Sequence, residues 1–307
     1  MKVIRKTDSD SAVELVDVAE PSGAARVLAA GVNPVDLAIA SGRLPFRKAD
    51  TTTTLGFEGV ARTASDEVVY FSAPTPPSGS FGEYVELEGA ELATVPQGLD
   101  PVLAAAIGVP GIAAWSSLFD GAHFTTGDRV LVLGATGTVG RIAAQVALAE
   151  GAAVVAGTAR NDQGLSDLSS LGITPVDISS SADISTHLGE ASADGFDVVI
   201  DTLWGEPLVA AIDHLRTGAR IAQVGNSAGA DAHINGPAFR NRGVTLSGHS
   251  NFLRSATQRR HAYENVAKYA AQGTIDLPLT TVTLPDFPDF WQRMANGDAK
   301  GKTVLVP

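Results

Sequence analysis

Three glycines spaced three residues apart, Gly134, Gly137 and Gly140, follow the strand-like run Arg129-Val130-Leu131-Val132-Leu133, with Thr136, Thr138 and Val139 between them. The chemistry open to such a turn is phosphate binding. Gly134 can take a turn geometry closed to residues with a Cβ, Gly137 lets backbone approach a ligand, and Gly140 lets helix and strand pack tightly. The N-terminus of the following helix offers free N–H groups and a positive dipole end to a pyrophosphate. The pattern is G-x-x-G-x-x-G rather than the commoner G-x-G-x-x-G, so its meaning rests on context: a strand before it, a helical pattern after it and a second strand-like run from Ala152 to Ala156. Without that context it would read as an ordinary glycine-rich βα turn.

The end of the second strand selects the cofactor. An acid there would accept hydrogen bonds from ribose hydroxyls, whereas a 2′-phosphate calls for a cation. The strand ends Gly157-Thr158-Ala159-Arg160-Asn161, and no acid lies between Glu150 and Asp162. Arg160 can clamp a phosphate with two N–H groups, and Thr158 or Asn161 can add neutral donors. NADPH is therefore expected in preference to NADH. Asp162 reads as the N-cap of the next helix.

These residues need elements to hold them. After Gly140 the apolar positions Ile142, Ala143, Val146 and Ala147 recur at helical spacing, so that helix packs one face on a sheet. From Arg129 to about Gly248 strands and helices alternate, with further strands at Ile173 to Val176, Phe196 to Asp201, Arg220 to Val224 and Gly243 to Ser247. That alternation predicts an α/β fold with a parallel, doubly wound sheet, and Gly218 suits a helix stop. Ligands in such sheets sit at the carboxyl ends of the strands, which makes Asp201 with Thr202, and Val224, Gly225 and Asn226, candidates to line the same crevice. Residues 1–108 are β-rich, with short runs at Ala25 to Ala30, Gly59 to Ala64, Glu67 to Phe71 and Tyr84 to Leu87, interrupted by a Pro- and Ser-rich break at 72–80. Helices are expected around Leu103 to Gly111, Ala113 to Phe119, Thr257 to Gln272 and Phe287 to Met294, and strands at Leu279 to Leu284 and Thr303 to Val306.

Composition narrows the function classes. With 44% hydrophobic and 18% charged residues, the 307-residue chain can bury a large core and is unlike a disordered one. A net charge of −12 argues against a nucleic-acid surface, which needs clustered cations. There is no cysteine, hence no disulfide or thiolate metal site, and the six histidines show no metal-binding spacing. No metal is expected. Neither a signal-peptide core nor an apolar run of about 20 residues is seen, so a soluble cytoplasmic protein without membrane partners is expected. One competing motif is Gly225-Asn226-Ser227-Ala228-Gly229, which matches the G-x-S-x-G elbow of serine hydrolases with Ser227 as nucleophile. The elbow requires a helix directly after the serine, and Ala230 to Pro237 is a poor helix start.

Taken in order, several segments resemble the zinc-less, quinone-reductase-like branch of the medium-chain dehydrogenase/reductases, the group of zeta-crystallin-type NADPH:quinone oxidoreductases. The matching pieces are Ala30 to Asp36 with Ser41-Gly42, Leu55 to Gly59, Gly82-Glu83-Tyr84, Gly108 to Gly111, the glycine turn, Arg240 to Gly243 and Gly301 to Leu305. The resemblance implies a GroES-like β-rich substrate domain built from residues 1–108 and a C-terminal return at 250–307, a Rossmann NADPH-binding domain at 109–249, a cleft active site and a homodimer. It also adds Asn251 and Lys302 to the cofactor candidates. Zinc-bearing relatives have a histidine where this chain has Phe57, and they use cysteine ligands, so a zinc-type alcohol dehydrogenase is not expected. Leu44 stands where many relatives carry a tyrosine, Ala113 where many carry a threonine, and the stretch from Ala64 to Ser80 is shorter than in typical relatives.

The reaction this implies is hydride transfer from NADPH to a quinone or an α,β-unsaturated carbonyl. The cofactor carries the difficult chemistry, while the protein orients donor and acceptor and excludes water. Negative charge develops on the acceptor oxygen, and a preorganised donor there is worth about 3 kcal/mol. Asn33 is the side-chain candidate for that donor, the alternative being an Asx turn before Pro34. Asp36 is the second candidate, as an orienting residue or a cap, with the proton coming from water. Glu58 and Tyr84 read as structural. A cofactor-binding sensor with little turnover is the alternative to an enzyme.

Overall fold

The computed structural model describes residues 1–7, 12–44, 49–192 and 194–307. In chain order the first elements are β1 (Lys2–Lys6), β2 (Val13–Asp17), β3 (Ala25–Gly31), α1 (Pro34–Ala40), β4 (Glu58–Arg62), β5 (Val68–Ser72), β6 (Tyr84–Val85), β7 (Glu91–Thr94), α2 (Pro101–Ala106) and α3 (Val109–Ser116). A π-helical turn, Ser117–Gly121, leads on to β8 (Arg129–Leu133), α4 (Thr138–Ala149), β9 (Val154–Ala159), α5 (Asp162–Ser170), β10 (Thr174–Asp177), α6 (Ile184–Ala191), β11 (Phe196–Asp201), α7 (Gly205–Ala211), β12 (Leu215–Gln223), α8 (Gly236–Arg242) and β13 (Thr245–Gly248). The chain ends with α9 (Ala256–Ala271), β14 (Leu279–Thr283), α10 (Phe287–Ala295) and β15 (Lys302–Val306). It divides into two compact units, Met1–Val109 with Ala256–Pro307, and Pro110–Ser255.

In the second unit six strands form one parallel sheet in the order β10-β9-β8-β11-β12-β13. This is the doubly wound Rossmann order, whose switch point falls beside the first strand, here β8. Parallel strands are covered on both faces, which is why Val130 to Leu133 and Val198 to Ile200 are continuous apolar runs at 0% exposure. The first unit carries the GroES-like part: an antiparallel pair β1-β2 and a mixed sheet ordered β14-β15-β3-β4-β5-β7, with β6 on β3. Its core gathers Ile4, Phe71, Phe81, Phe287 and Trp291. The C-terminal strand β15 pairs with β3 through Val304 against Gly31 and Leu305 against Ala30, so the two ends of the chain complete one sheet.

Several local expectations are corrected. Gly218 does not stop a helix; it lies inside β12 at φ +79°, where the register with β11 shifts. The N-cap of α5 is Asn161 rather than Asp162, its side chain accepting from the Gly164 N–H at 2.8 Å. The hairpin β1-β2 and helix α1 carried no periodic signal, because each is about two turns or one short strand long and half exposed. Among the described residues no helix is long and apolar enough to cross a membrane.

Candidate functional site

The glycine turn closes over the carboxyl end of β8. Gly134 sits at φ +86°, and a Cβ there would overlap Thr202 Oγ1. Its N–H donates to Thr158 Oγ1 at 2.7 Å, and its carbonyl accepts from Gly137 at 3.0 Å. A Cβ at Gly140 would run into the Gly134 carbonyl, so α4 can start this close to the strand only with glycine there. Gly137 is the N-cap of α4, and the first-turn amides of Thr138, Val139 and Gly140 have no acceptor within the helix. Thr136 and Gly137 are exposed, and Thr138 and Val139 partly so. The turn is therefore an open ring of N–H donors at a positive helix end.

The other candidates of this unit gather at the same edge of the sheet. Arg160, exposed at the end of β9, lines a pocket of about 190 Å³ with Ile178, Ser179, Ser181, Leu203 and Ser227. Thr158 corrects the expectation of a neutral phosphate donor: it is 1% exposed, and its hydroxyl holds the Gly134 amide instead of facing a ligand. The carbonyl of Asp201 accepts from the Val224 N–H at 2.7 Å and the Gly225 N–H at 3.2 Å, which brings the 201–202 and 224–226 turns together. The Asp201 side chain, at 0% exposure, is directed into the fold. Oδ1 accepts from the Leu203 and Trp204 amides at 2.9 and 2.8 Å, Oδ2 is buried without a partner, and burial raises the carboxyl's pKa. Beyond β13, Asn251 Oδ1 pairs with His249 Nε2 at 2.9 Å.

Ser227 is not a nucleophile elbow. Its hydroxyl donates to the Thr202 carbonyl at 3.2 Å, and no helix follows until Gly236.

The catalytic candidates of the first unit fall into a buried polar network around Glu58, at 0% exposure. Glu58 Oε1 accepts from Asn33 Nδ2 at 2.6 Å, and Oε2 accepts from the Tyr70 hydroxyl at 2.7 Å and the Val109 N–H at 2.5 Å. Lys302 Nζ donates to Asn33 Oδ1 at 2.7 Å and to the Val32 carbonyl at 3.1 Å, and lies 3.8 Å from Glu58 Oε1. Asn33 also donates to the Gly31 carbonyl at 3.2 Å. Both amide hydrogens of Asn33 are thus engaged and the residue is 5% exposed, which corrects its assignment as an oxyanion donor. Lys302, 5% exposed, directs its ammonium into the same network. Asp36 closes a capping box on α1, its Oδ2 accepting from the Asn33 N–H at 2.8 Å and its Oδ1 from the Phe57 N–H at 2.9 Å.

Burial dominates the electrostatics here. It pushes Asp36 up to about 7 against the lowering effect of its amide donors, with Glu58 adding repulsion. It also raises Glu58 and lowers Lys302, while the attraction between the two opposes both shifts. Space for the carboxylate comes from glycine: a Cβ at Gly108 would overlap Glu58 Oε2, and one at Gly31 would stand 2.6 Å from Oε1. Sequence reasoning missed this network because its members lie at positions 33, 58, 70, 109 and 302; the glycines at 31 and 108 were the available signal.

A six-stranded parallel sheet of Rossmann order, with an open glycine turn at its switch point and an arginine at the end of the next strand, is the fold of the dinucleotide-binding dehydrogenases. The family described as zinc-binding dehydrogenase matches residues 138–271. A quinone oxidoreductase of Pongo abelii is 31% identical over 237 residues, covering 73% of this chain and 69% of the relative. A phenolphthiocerol/phthiocerol polyketide synthase of Mycobacterium tuberculosis is 29% identical over 300 residues, 91% of this chain, and the chain spans only 13% of that relative's length. The quinone oxidoreductase of Thermus thermophilus, solved also in complex with NADPH, superposes over 100% of both chains with a TM-score of 0.81 at 24% identity. The chain belongs to the medium-chain dehydrogenase/reductase superfamily, in its quinone oxidoreductase branch.

Proposed function

We propose that the protein is an oxidoreductase that takes hydride from NADPH and delivers it to a quinone or an α,β-unsaturated carbonyl without a zinc ion. The observation that carries this reading is Arg160, an exposed guanidinium at the end of β9, on a pocket that also offers serine hydroxyls and follows the glycine turn. Gly134 to Gly140 would hold the pyrophosphate through backbone amides, and Arg160 would take the 2′-phosphate bidentately. Bound NADPH would supply the hydride. The turns at 201–202 and 224–226 would border it, and Asn251 stands beyond the next strand.

A zinc-free reaction is supported by the donor set. The chain has no cysteine, and Glu58 and Asp36 are already saturated by amide, hydroxyl and backbone donors. Among the described residues no three His, Cys, Asp or Glu side chains gather to hold an ion. The quinone acceptor is supported by the 31% identical quinone oxidoreductase. With Asn33 engaged internally, we assign no side chain as oxyanion donor, and protonation falls to water. We also propose a homodimer: β13 is one of the two edge strands of the parallel sheet, and Leu246, Phe252 and Leu253 near it are 39%, 42% and 84% exposed. Light scattering tests that assembly.

The functional test is a fluorescence titration with NADPH and NADH followed by a panel of quinones and enones. NADPH is expected to bind more tightly, and Arg160→Ala to weaken NADPH by about tenfold or more while sparing NADH. Tight NADPH binding without turnover of any acceptor would favour a sensor.

A further inference from the structure

The pocket that carries Arg160 also carries one carboxylate, Glu206. Both side chains are exposed, and among the described residues neither has a hydrogen bond or ion pair with another group. A carboxylate in the same pocket as a phosphate-binding guanidinium opposes phosphate.

Its placement is built into the backbone. Glu206 is the second residue of α7, directly after Trp204, at φ +60° and ψ −169°, and Gly205, which opens the helix at φ +64°. That left-handed turn is costly for a tryptophan, roughly 1–3 kcal/mol, and persists only where surrounding structure enforces it. The enforcing group is Asp201, whose Oδ1 accepts from the Leu203 and Trp204 amides. Gly205 lies near the Ala228 carbonyl, where a Cβ would stand at 3.5 Å, and Pro207, two residues further on, is buried. The first turn of α7 is therefore clamped at the pocket wall, and Glu206 projects from it beside Ser227 and Leu203.

We infer that Glu206 is a specificity-determining residue which offsets Arg160, lowering affinity for the 2′-phosphate and leaving the pocket open to a cofactor with a bare ribose. This rests on the reading of the pocket as the seat of a phosphorylated adenosine. In a pocket of about 190 Å³ the carboxylate lies within reach of the field of any phosphate bound at Arg160. At an assumed separation of about 8 Å in a water-like medium, a phosphate dianion would be repelled enough to weaken binding about fivefold at low ionic strength, and salt with a Debye length of about 8 Å would remove much of that. Glu206 touches no element of the reaction and acts only on the ratio of affinities.

The experiment is calorimetric titration of the full chain with 2′,5′-ADP and with 5′-AMP at low and physiological salt, for wild type, Glu206→Gln, Glu206→Ala and Arg160→Ala. Both Glu206 variants are expected to raise 2′,5′-ADP affinity about fivefold at low salt and to leave 5′-AMP within about twofold, with the gain shrinking as salt is added. An unchanged ratio of the two affinities in folded Glu206 variants overturns the inference, as does a loss of 5′-AMP binding, which would make Glu206 an acceptor for the nucleoside. Absence of 2′,5′-ADP binding by wild type is a separate result, and overturns the reading of the pocket itself.

Discussion

Replacing Asn33 with alanine separates two roles that the residue type alone leaves open. The side chain donates to Glu58 Oε1 at 2.6 Å and accepts from Lys302 Nζ at 2.7 Å, joining a buried carboxylate to a buried ammonium that are themselves 3.8 Å apart. A hydrogen bond to a charged group contributes about 1.5–3 kcal/mol, and a buried charge left short of a partner costs more than a neutral group would. Loss of both contacts should destabilise the first unit by about 3–5 kcal/mol, a large share of the 5–15 kcal/mol that typically separates folded from unfolded chains. The melting temperature should fall by about 10 °C, seen by thermal scanning and as an earlier urea midpoint with unchanged slope. NADPH affinity should be kept, since Asn33 belongs to a different unit from the glycine turn. An oxyanion donor would behave in the opposite way, with turnover falling about 100-fold or more and little change in stability. A folded Asn33→Ala with a stability change under about 1 kcal/mol and a collapsed kcat refutes the structural assignment.

Further outcomes follow from the same geometry. Because burial raises Asp36 to about 7, the folded state keeps a proton that the unfolded state releases near 4. The contribution of Asp36 to stability should therefore fall as pH rises between about 4 and 7, by up to about 4 kcal/mol, and be constant outside that window. Urea midpoints at about pH 5 and pH 8 should show that slope in wild type and a flatter one in Asp36→Asn; equal slopes would remove the group from the explanation. Gly108→Ala sets a methyl against Glu58 Oε2 and should cost several kcal/mol, about 3 or more, in a thermal melt, whereas Gly98→Ala, with nothing near the added Cβ but φ at +83°, should cost only about 1 kcal/mol. Gly140→Ala, which drives Cβ into the Gly134 carbonyl, should displace the start of α4 and weaken NADPH binding at least about tenfold in a chain that still melts cooperatively.

The parallel sheet was legible in the sequence because its signals are local and repeated. Strands covered on both faces read as unbroken apolar runs, and the glycine turn lies within seven consecutive residues, Gly134 to Gly140. Arg160 stands out in the sequence for the same reason, as the only strong cation or acid between Glu150 and Asp162. What tertiary structure alone decided is where side chains point. Asn33, Asp36 and Lys302 have types suited to catalysis or cofactor binding, yet the antiparallel pairing of β15 with β3 brings residue 302 beside residue 33 and directs both toward Glu58, while Asp36 is held by the Asn33 and Phe57 amides. Thr158 likewise faces the backbone of the glycine turn, and Asp201 the backbone amides of Leu203 and Trp204. Glu206 reached the Arg160 pocket through a tryptophan in a left-handed turn, which no residue propensity favours. Residue type and spacing determine which chemistry is possible; the satisfaction of buried charge, a sum over partners far apart in the chain, determines which groups remain free to perform it.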